Sequence, residues 1–183
     1  LTFSFIWWRK SWENGRVTLE IKRNYLEINS LEELKDKKKP SEDYSLILVD
    51  PINFQLNKFF YKNVGKKHKW VDRLLWSEEQ WINYVSNRNV KTYVLKKKDN
   101  FVGFFELIIH LENNEVEIAY FGILEEYQNK KLGSFLLSEA IKKSFKKNIN
   151  RVWLHTCSLD HKNALNNYIA RGMKIFKEEI IKI

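Results

Sequence analysis

A chain of 183 residues, 44% hydrophobic and 15% aromatic, is long enough to close one sizeable core and too short to close two comfortably, so a single domain over 1–183 is expected. Seven Trp, eight Tyr and twelve Phe against six Gly and two Pro, with no repeat or low-complexity run, exclude a disordered or fibrous chain. The one cysteine, Cys157, excludes an internal disulfide and any CxxC metal motif, while the net charge of +9 raises the question of a polyanionic partner.

The apolar opening over 1–8 is far shorter than the roughly 20 residues of a membrane span. It has neither a basic stretch ahead of it nor a small-residue cleavage site behind it, so a soluble, unexported, cytoplasmic protein without membrane partners is expected. The first residue is Leu rather than Met, which fits a fragment, a processed form or an unusual start codon. Val17, Leu19 and Ile21 alternate with polar residues, the period of a strand running toward Leu26. Ser30 followed by Glu33 reads as a capping box opening a short helix that ends by 37–40. Residues 1–43 thus read as a strand and helix docked on or preceding a core of 44–183.

Within that core, 45–49 reads as a strand and 53–63 as a helix, and Ser77 with Gln80 opens a second helix through another capping box. From Val90 the texture changes: 90–95, 101–110 and 115–123 are β-rich runs separated by turn residues, an antiparallel meander of three strands. Leu132, Phe135, Leu136, Ala140, Ile141 and Phe145 then recur at helical spacing. A strand over 151–157, a helix over 162–171 and a last strand or hairpin over 173–183 complete an α/β (α+β) fold, a mixed, mostly antiparallel central sheet flanked by helices.

The excess charge lies in 58–73, 96–98 and 130–151, interspersed with hydrophobic segments. Lysines on solvated faces explain that distribution, and attraction of a small polyanion is the alternative. A basic nucleic-acid-binding domain rests on charge alone, with no helix-turn-helix or zinc pattern beside it, so nucleic acid is not the expected partner.

The junction between Ile123 and Ser134, where a strand ends, a polar turn follows and a long helix begins, is suited to an anion: amides at a helix start point outward unpaired and the dipole adds positive potential. The turn reads Gln128-Asn129-Lys130-Lys131-Leu132-Gly133. It resembles the pyrophosphate loop of the GNAT superfamily of N-acetyltransferases, Arg/Gln-x-x-Gly-x-Gly/Ala, with Gln128 and Gly133 at its ends and Lys131 in place of the middle glycine. Residues 117–123 resemble that family's fourth strand, which splays from its neighbour to form the cofactor cleft. Ala164, Tyr168 and Gly172-Met173 resemble its Asn-x-x-Ala-x-x-x-Tyr-x-x-x-Gly-Phe segment, with His161 where the pattern has Asn. Tyr25-Leu26-Glu27, Trp70-Val71-Asp72-Arg73 and the run from His155 to His161 are similar to a less-described bacterial branch, so the resemblance covers nearly the whole chain from about Val17.

The resemblance implies acetyl-CoA as co-substrate, contacted by Phe121, Gly122, Ile123, Gln128, Asn129, Lys130, Lys131, Leu132, Gly133, Ser134, Asn163 and Arg171, with no metal. It implies Glu117 as general base, with Glu106 and Glu27 as substitutes, and Tyr168 as general acid toward the leaving thiolate. An amine is largely protonated at neutral pH and must lose a proton before it attacks a thioester, which is what the carboxylate is for. Trp70, Asp72, Arg73, Glu106 and His155 are expected around the acceptor, Arg73 holding an acceptor carboxylate and Asp72 its amine, or the two pairing with each other. Cys157, His155 and His161 also admit a nucleophile reading. The expected partner is a small-molecule amine, zwitterionic or neutral, and a homodimer is compatible with it. The alternatives are a non-catalytic acyl-CoA sensor, suggested by Lys131 in the glycine position, and a protein or peptide N-acetyltransferase.

Overall fold

The structure, a computed structural model, describes residues 20–146 and 148–182. Val17 and Leu19 of the expected first strand lie outside the described residues. In chain order the elements are β1 (Glu20–Ile28), a 3-10 turn (Leu31–Glu33), β2 (Tyr44–Leu48), α1 (Phe54–Gly65), α2 (Glu78–Val85), β3 (Val90–Lys97), β4 (Asn100–His110), β5 (Glu115–Ile123), α3 (Leu132–Ser144), β6 (Arg151–Cys157), α4 (Ala164–Ala170) and β7 (Lys174–Lys182). The sheet order is β2-β3-β4-β5-β6-β1-β7. Every pair is antiparallel except β5 with β6, the mixed, mostly antiparallel sheet expected from the sequence.

The main core lies between the sheet and α3, whose Leu132, Phe135, Leu136, Ala140 and Ile141 are buried. Their helical spacing puts them on one face, which packs against strand residues such as Phe105, Leu107, Ile118 and Val152. A smaller cluster on the opposite side joins Phe60 and Val64 of α1 to Val94, Phe104 and Leu124. Gly122 of β5 makes that second contact possible: a Cβ there would stand 2.2 Å from Val64 Cγ1.

The two capping signals behave differently. At α2, Gln80 N donates to Ser77 Oγ (3.2 Å) and Ser77 N to Gln80 Oε1 (2.8 Å), a complete capping box. At Ser30 the expected box and helix do not form. The Glu33 amide finds the Ser30 carbonyl instead (3.3 Å), and the Glu33 carboxylate pairs with Lys174 (3.2 Å). A single 3-10 turn has few orphan amides to satisfy, so the cap has little to stabilise. The following residues run over the helices: Lys35 N donates to Arg171 O (3.0 Å) and Lys37 N to Ser138 Oγ (2.9 Å). Gly172, at φ 100°, lets this strap pass, since a Cβ would lie 2.1 Å from the Glu33 carbonyl oxygen.

Two features of β5 place the site. Its parallel pairing with β6 is confined to Glu115–Glu117 against Arg151–Trp153, and beyond Glu117 the two strands part. Its register against β4 also slips between the pairs Leu107↔Ile118 and Glu106↔Tyr120, leaving Ala119 as an extra residue. Such a bulge re-aims the side chains beyond it, and it puts Tyr120 on the same side of the sheet as Glu117.

Candidate active site

A cleft of about 850 Å³ occupies the gap between the parted ends of β5 and β6 and extends to the start of α3. Of the residues expected at the site, Trp70, Asp72, Arg73, Glu117, Phe121, Gly122, Ile123, Gln128, Asn129, Lys131, Leu132, Gly133, Ser134, His155, Asn163 and Tyr168 line it. Glu106, Lys130 and Arg171 do not. Lys130 Nζ turns back to the Glu126 carbonyl (2.9 Å) and lies 5.1 Å from the centre of the Tyr127 ring. Arg171 ends α4, where its carbonyl takes the Lys35 amide.

The half of the cleft at α3 is made chiefly of backbone. Gln128 Nε2 donates to the Ile123 carbonyl (3.2 Å), folding the turn back on the end of β5. Asn129 (φ 60°) and Lys131 (φ 59°) both take the left-handed conformation. Lys131, in place of the pattern's middle glycine, thus holds a backbone conformation that glycine adopts freely, at a cost of about 1–2 kcal/mol for an L-residue. The first amides of α3 have no acceptor within the helix. Gly133 leaves them open: a Cβ there would meet only Asn167 Nδ2, at 3.9 Å. Leu132 is 2% exposed and its side chain belongs to the core. Asn167 of α4 braces the start of α3, accepting from Ser134 Oγ (2.8 Å) and donating to Gly133 O (3.3 Å).

Tyr168, 7% exposed, stands edge-on to Phe121 across the cleft, with ring centres 6.3 Å apart. Burial, reinforced by the charge of Asp160 and by Cys157, pushes its phenol well above the ordinary value. Asp160 is itself fixed by Thr156 Oγ1 (2.6 Å) and the Cys157 amide (2.9 Å). Asn163 precedes α4 without a side-chain cap, and its amide donates to His161 Nδ1 (3.2 Å).

The other half is made of side chains. Glu117 is the last residue of β5 paired with β6, its side chain 13% exposed. Burial raises its carboxyl above the ordinary value, against the hydrogen bond and charge of His110 and the charge of Arg73. Asp72, partly exposed, accepts from Tyr61 Oη (2.7 Å) and Tyr120 Oη (2.5 Å). Trp70 packs edge-on against Tyr120 at 4.9 Å, and His155 faces the cleft beside the Tyr25 ring (5.8 Å).

Arg73 and Glu106 are bound chiefly to each other. The guanidinium is buried and donates through Nη1 to Glu106 Oε2 (2.9 Å), while its Nε stands 4.0 Å from Asp72. The Tyr84 and Tyr120 rings lie 3.9 and 4.1 Å from its centre. Burial alone would lower the guanidinium pKa, but Glu106, followed by Tyr84 and Tyr120, holds it above the ordinary value. Glu106 is fully buried and also accepts from Tyr84 Oη (2.9 Å) and Asn57 Nδ2 (2.7 Å). It does not line the cleft, and the charge of Arg73 is already matched. Glu27, the other substitute, pairs with Arg151 at 2.7 Å and does not line the cleft. A carboxylate inside the apolar run 102–109 was the available signal, because a buried charge needs a partner. Tyr61, His110 and Asn167 were missed; their roles depend on partners that spacing does not reveal.

Residues 53–173 match the model of the acetyltransferase (GNAT) family. The chain belongs to that family. Solved structures agree on the GNAT fold. A GCN5-related N-acetyltransferase from Sphaerobacter thermophilus superposes with a TM-score of 0.66 at 13% identity, over 88% of this chain and 50% of that one. One from Kribbella flavida gives 0.63 at 12%, over 87% and 56%. An aminoglycoside acetyltransferase from an uncultured soil metagenomic sample gives 0.60 at 11%, over 73% and 90%. The chain spans about half to three-fifths of the length of the first solved chains it matches. No curated protein matches it.

Proposed function

We propose that this GNAT protein transfers the acetyl group of acetyl-CoA directly to the amine of a small molecule, in the cytoplasm. One observation carries the reading: a half-buried carboxyl, Glu117, and a buried phenol, Tyr168, line a single cleft that ends at the open amides of α3. A diphosphate fits there, because those amides and the helix dipole favour an anion and Gly133 leaves the approach clear. Asn129, Lys131 and Ser134 would hold it. The edge of β5 beyond Glu117, unpaired with β6, would take the amides of the pantetheine arm. Bound acetyl-CoA supplies a thioester carbonyl open to attack.

The residues of this chain then have separate tasks. An alkylammonium, with a pKa of about 10.4, must give up a proton, and Glu117 receives it. Burial has raised that carboxyl toward the range in which a base is effective. Tyr168, a phenol protonated at neutral pH even at its ordinary pKa of about 10 and held higher by burial, offers Oη as a hydrogen-bond donor to the departing sulfur. Asp72 draws the ammonium in, with Trp70 and Tyr120 as the wall beside it. Since Arg73 is matched by Glu106, an acceptor carboxylate is not required at that point.

Thiol release from acetyl-CoA across a panel of amines tests the proposal. The wild-type protein is expected to turn over at least one amine. Glu117→Gln should lose about 10²-fold or more in kcat with acetyl-CoA affinity retained, and Tyr168→Phe about tenfold or more. A wild-type rate no higher than buffer for every amine would refute transfer.

A further inference from the structure

Glu117 does not stand alone. His110, at the end of β4, pairs with Glu115 on β5, and Glu117 lies two residues further along the same face, a diagonal at which long side chains meet across a sheet. His110 Nε2 lies 3.1 Å from Glu117 Oε2. The imidazole is stacked on Trp153, with ring centres 6.0 Å apart and planes inclined by 21°, and Trp153 is the residue of β6 in register with Glu117. The ring thus packs on the strand at the fork and bonds to the carboxylate at the fork. Glu117 lines the cleft and His110 does not.

We infer that His110 is a positioning residue for Glu117: it holds one carboxylate oxygen by a hydrogen bond from behind, leaves the other for the acceptor amine, and keeps the carboxylate charged in its half-dry setting. The inference rests on the reading of Glu117 as the base. The charged groups around the pair fit it. Glu112, on the turn after β4, lies 3.9 Å from Nδ1. Glu115 is held by Arg151 (3.0 Å). Arg73 acts on Glu117 from the loop before α2, but its charge is matched by Glu106. His110 is therefore the one donor bonded to the Glu117 carboxylate among the described residues.

Two substitutions separate this role from simple packing. His110→Phe keeps an aromatic ring on Trp153 and removes the hydrogen bond, whereas His110→Gln keeps a donor and removes the ring. In the pH profile of kcat/KM, wild-type activity falls as pH drops through the pKa of Glu117. His110→Phe should move that acid limb up by about one pH unit and lower the plateau about tenfold, while His110→Gln should restore most of the plateau. An unmoved limb in His110→Phe, in an enzyme that otherwise turns over, overturns the role of His110 alone. Absence of any wild-type turnover overturns the base assignment and this role with it.

Discussion

The two halves of the cleft are built by different means. At the start of α3 the site is one contiguous turn, fixed by bonds between near neighbours such as Gln128 and Ile123, with Asn167 as a distant brace. In the other half each group takes its meaning from a remote partner: Arg73 from Glu106 on β4, and Asp72 from Tyr61 on α1 and Tyr120 on β5. A backbone site tolerates a change of side chain as long as the φ angles survive, as Lys131 at φ 59° illustrates. A side-chain site built from buried charges does not, because losing one partner strands the other.

Substitutions sharpen that contrast. Glu106→Ala leaves the Arg73 guanidinium buried with only the more distant, partly exposed Asp72 as counter-charge and should cost about 3–5 kcal/mol in urea unfolding. The paired change Arg73→Met with Glu106→Leu should cost clearly less, and a loss equal to or greater than that of Glu106→Ala would show that the ion pair is not the cause. Gly122→Ala drives a methyl against Val64 and should cost about 1–3 kcal/mol, with Val64→Ala recovering part of it. Lys131→Gly should instead stabilise. Relief of the left-handed strain, about 1–2 kcal/mol, exceeds the added chain entropy of glycine, about 0.5–1 kcal/mol, which should raise the melting temperature by about 2 °C. A fall in melting temperature would mean that the Lys131 side chain holds the turn.

The same contrast governs what could be read before the structure. Strands β3 to β6, the capping box of α2 and the apolar stripe of α3 all follow from period and local chemistry, and each appears where the residues place it. The turn at Gln128–Gly133 was legible for the same reason. The helix expected after Ser30 was not, because its cap residues compete with tertiary partners: Glu33 goes to Lys174 on β7. The order of the sheet, with β1 between β6 and β7, is invisible to periodicity, which reports faces and not neighbours. The resemblance of 70–73 offered Arg73 as an acceptor contact or as a partner of its neighbour Asp72, whereas its main partner is the carboxylate in the middle of β4. His110 gave no signal, since a histidine ending a strand acquires its role only when β5 brings Glu117 alongside.

The central claim is that the start of α3 receives the diphosphate of acetyl-CoA, and Gly133→Asp tests it most directly by calorimetric titration. A carboxylate in the first turn of a helix suits its dipole, and a side chain has room at this position, so the variant should melt at or slightly above the wild-type temperature. The same charge would face the phosphates. Saturable acetyl-CoA binding by the wild type, lost or weakened at least about 100-fold in an equally stable Gly133→Asp protein, is the predicted result. Equal affinity in the two proteins, or no binding by the wild type at millimolar acetyl-CoA, would contradict the account.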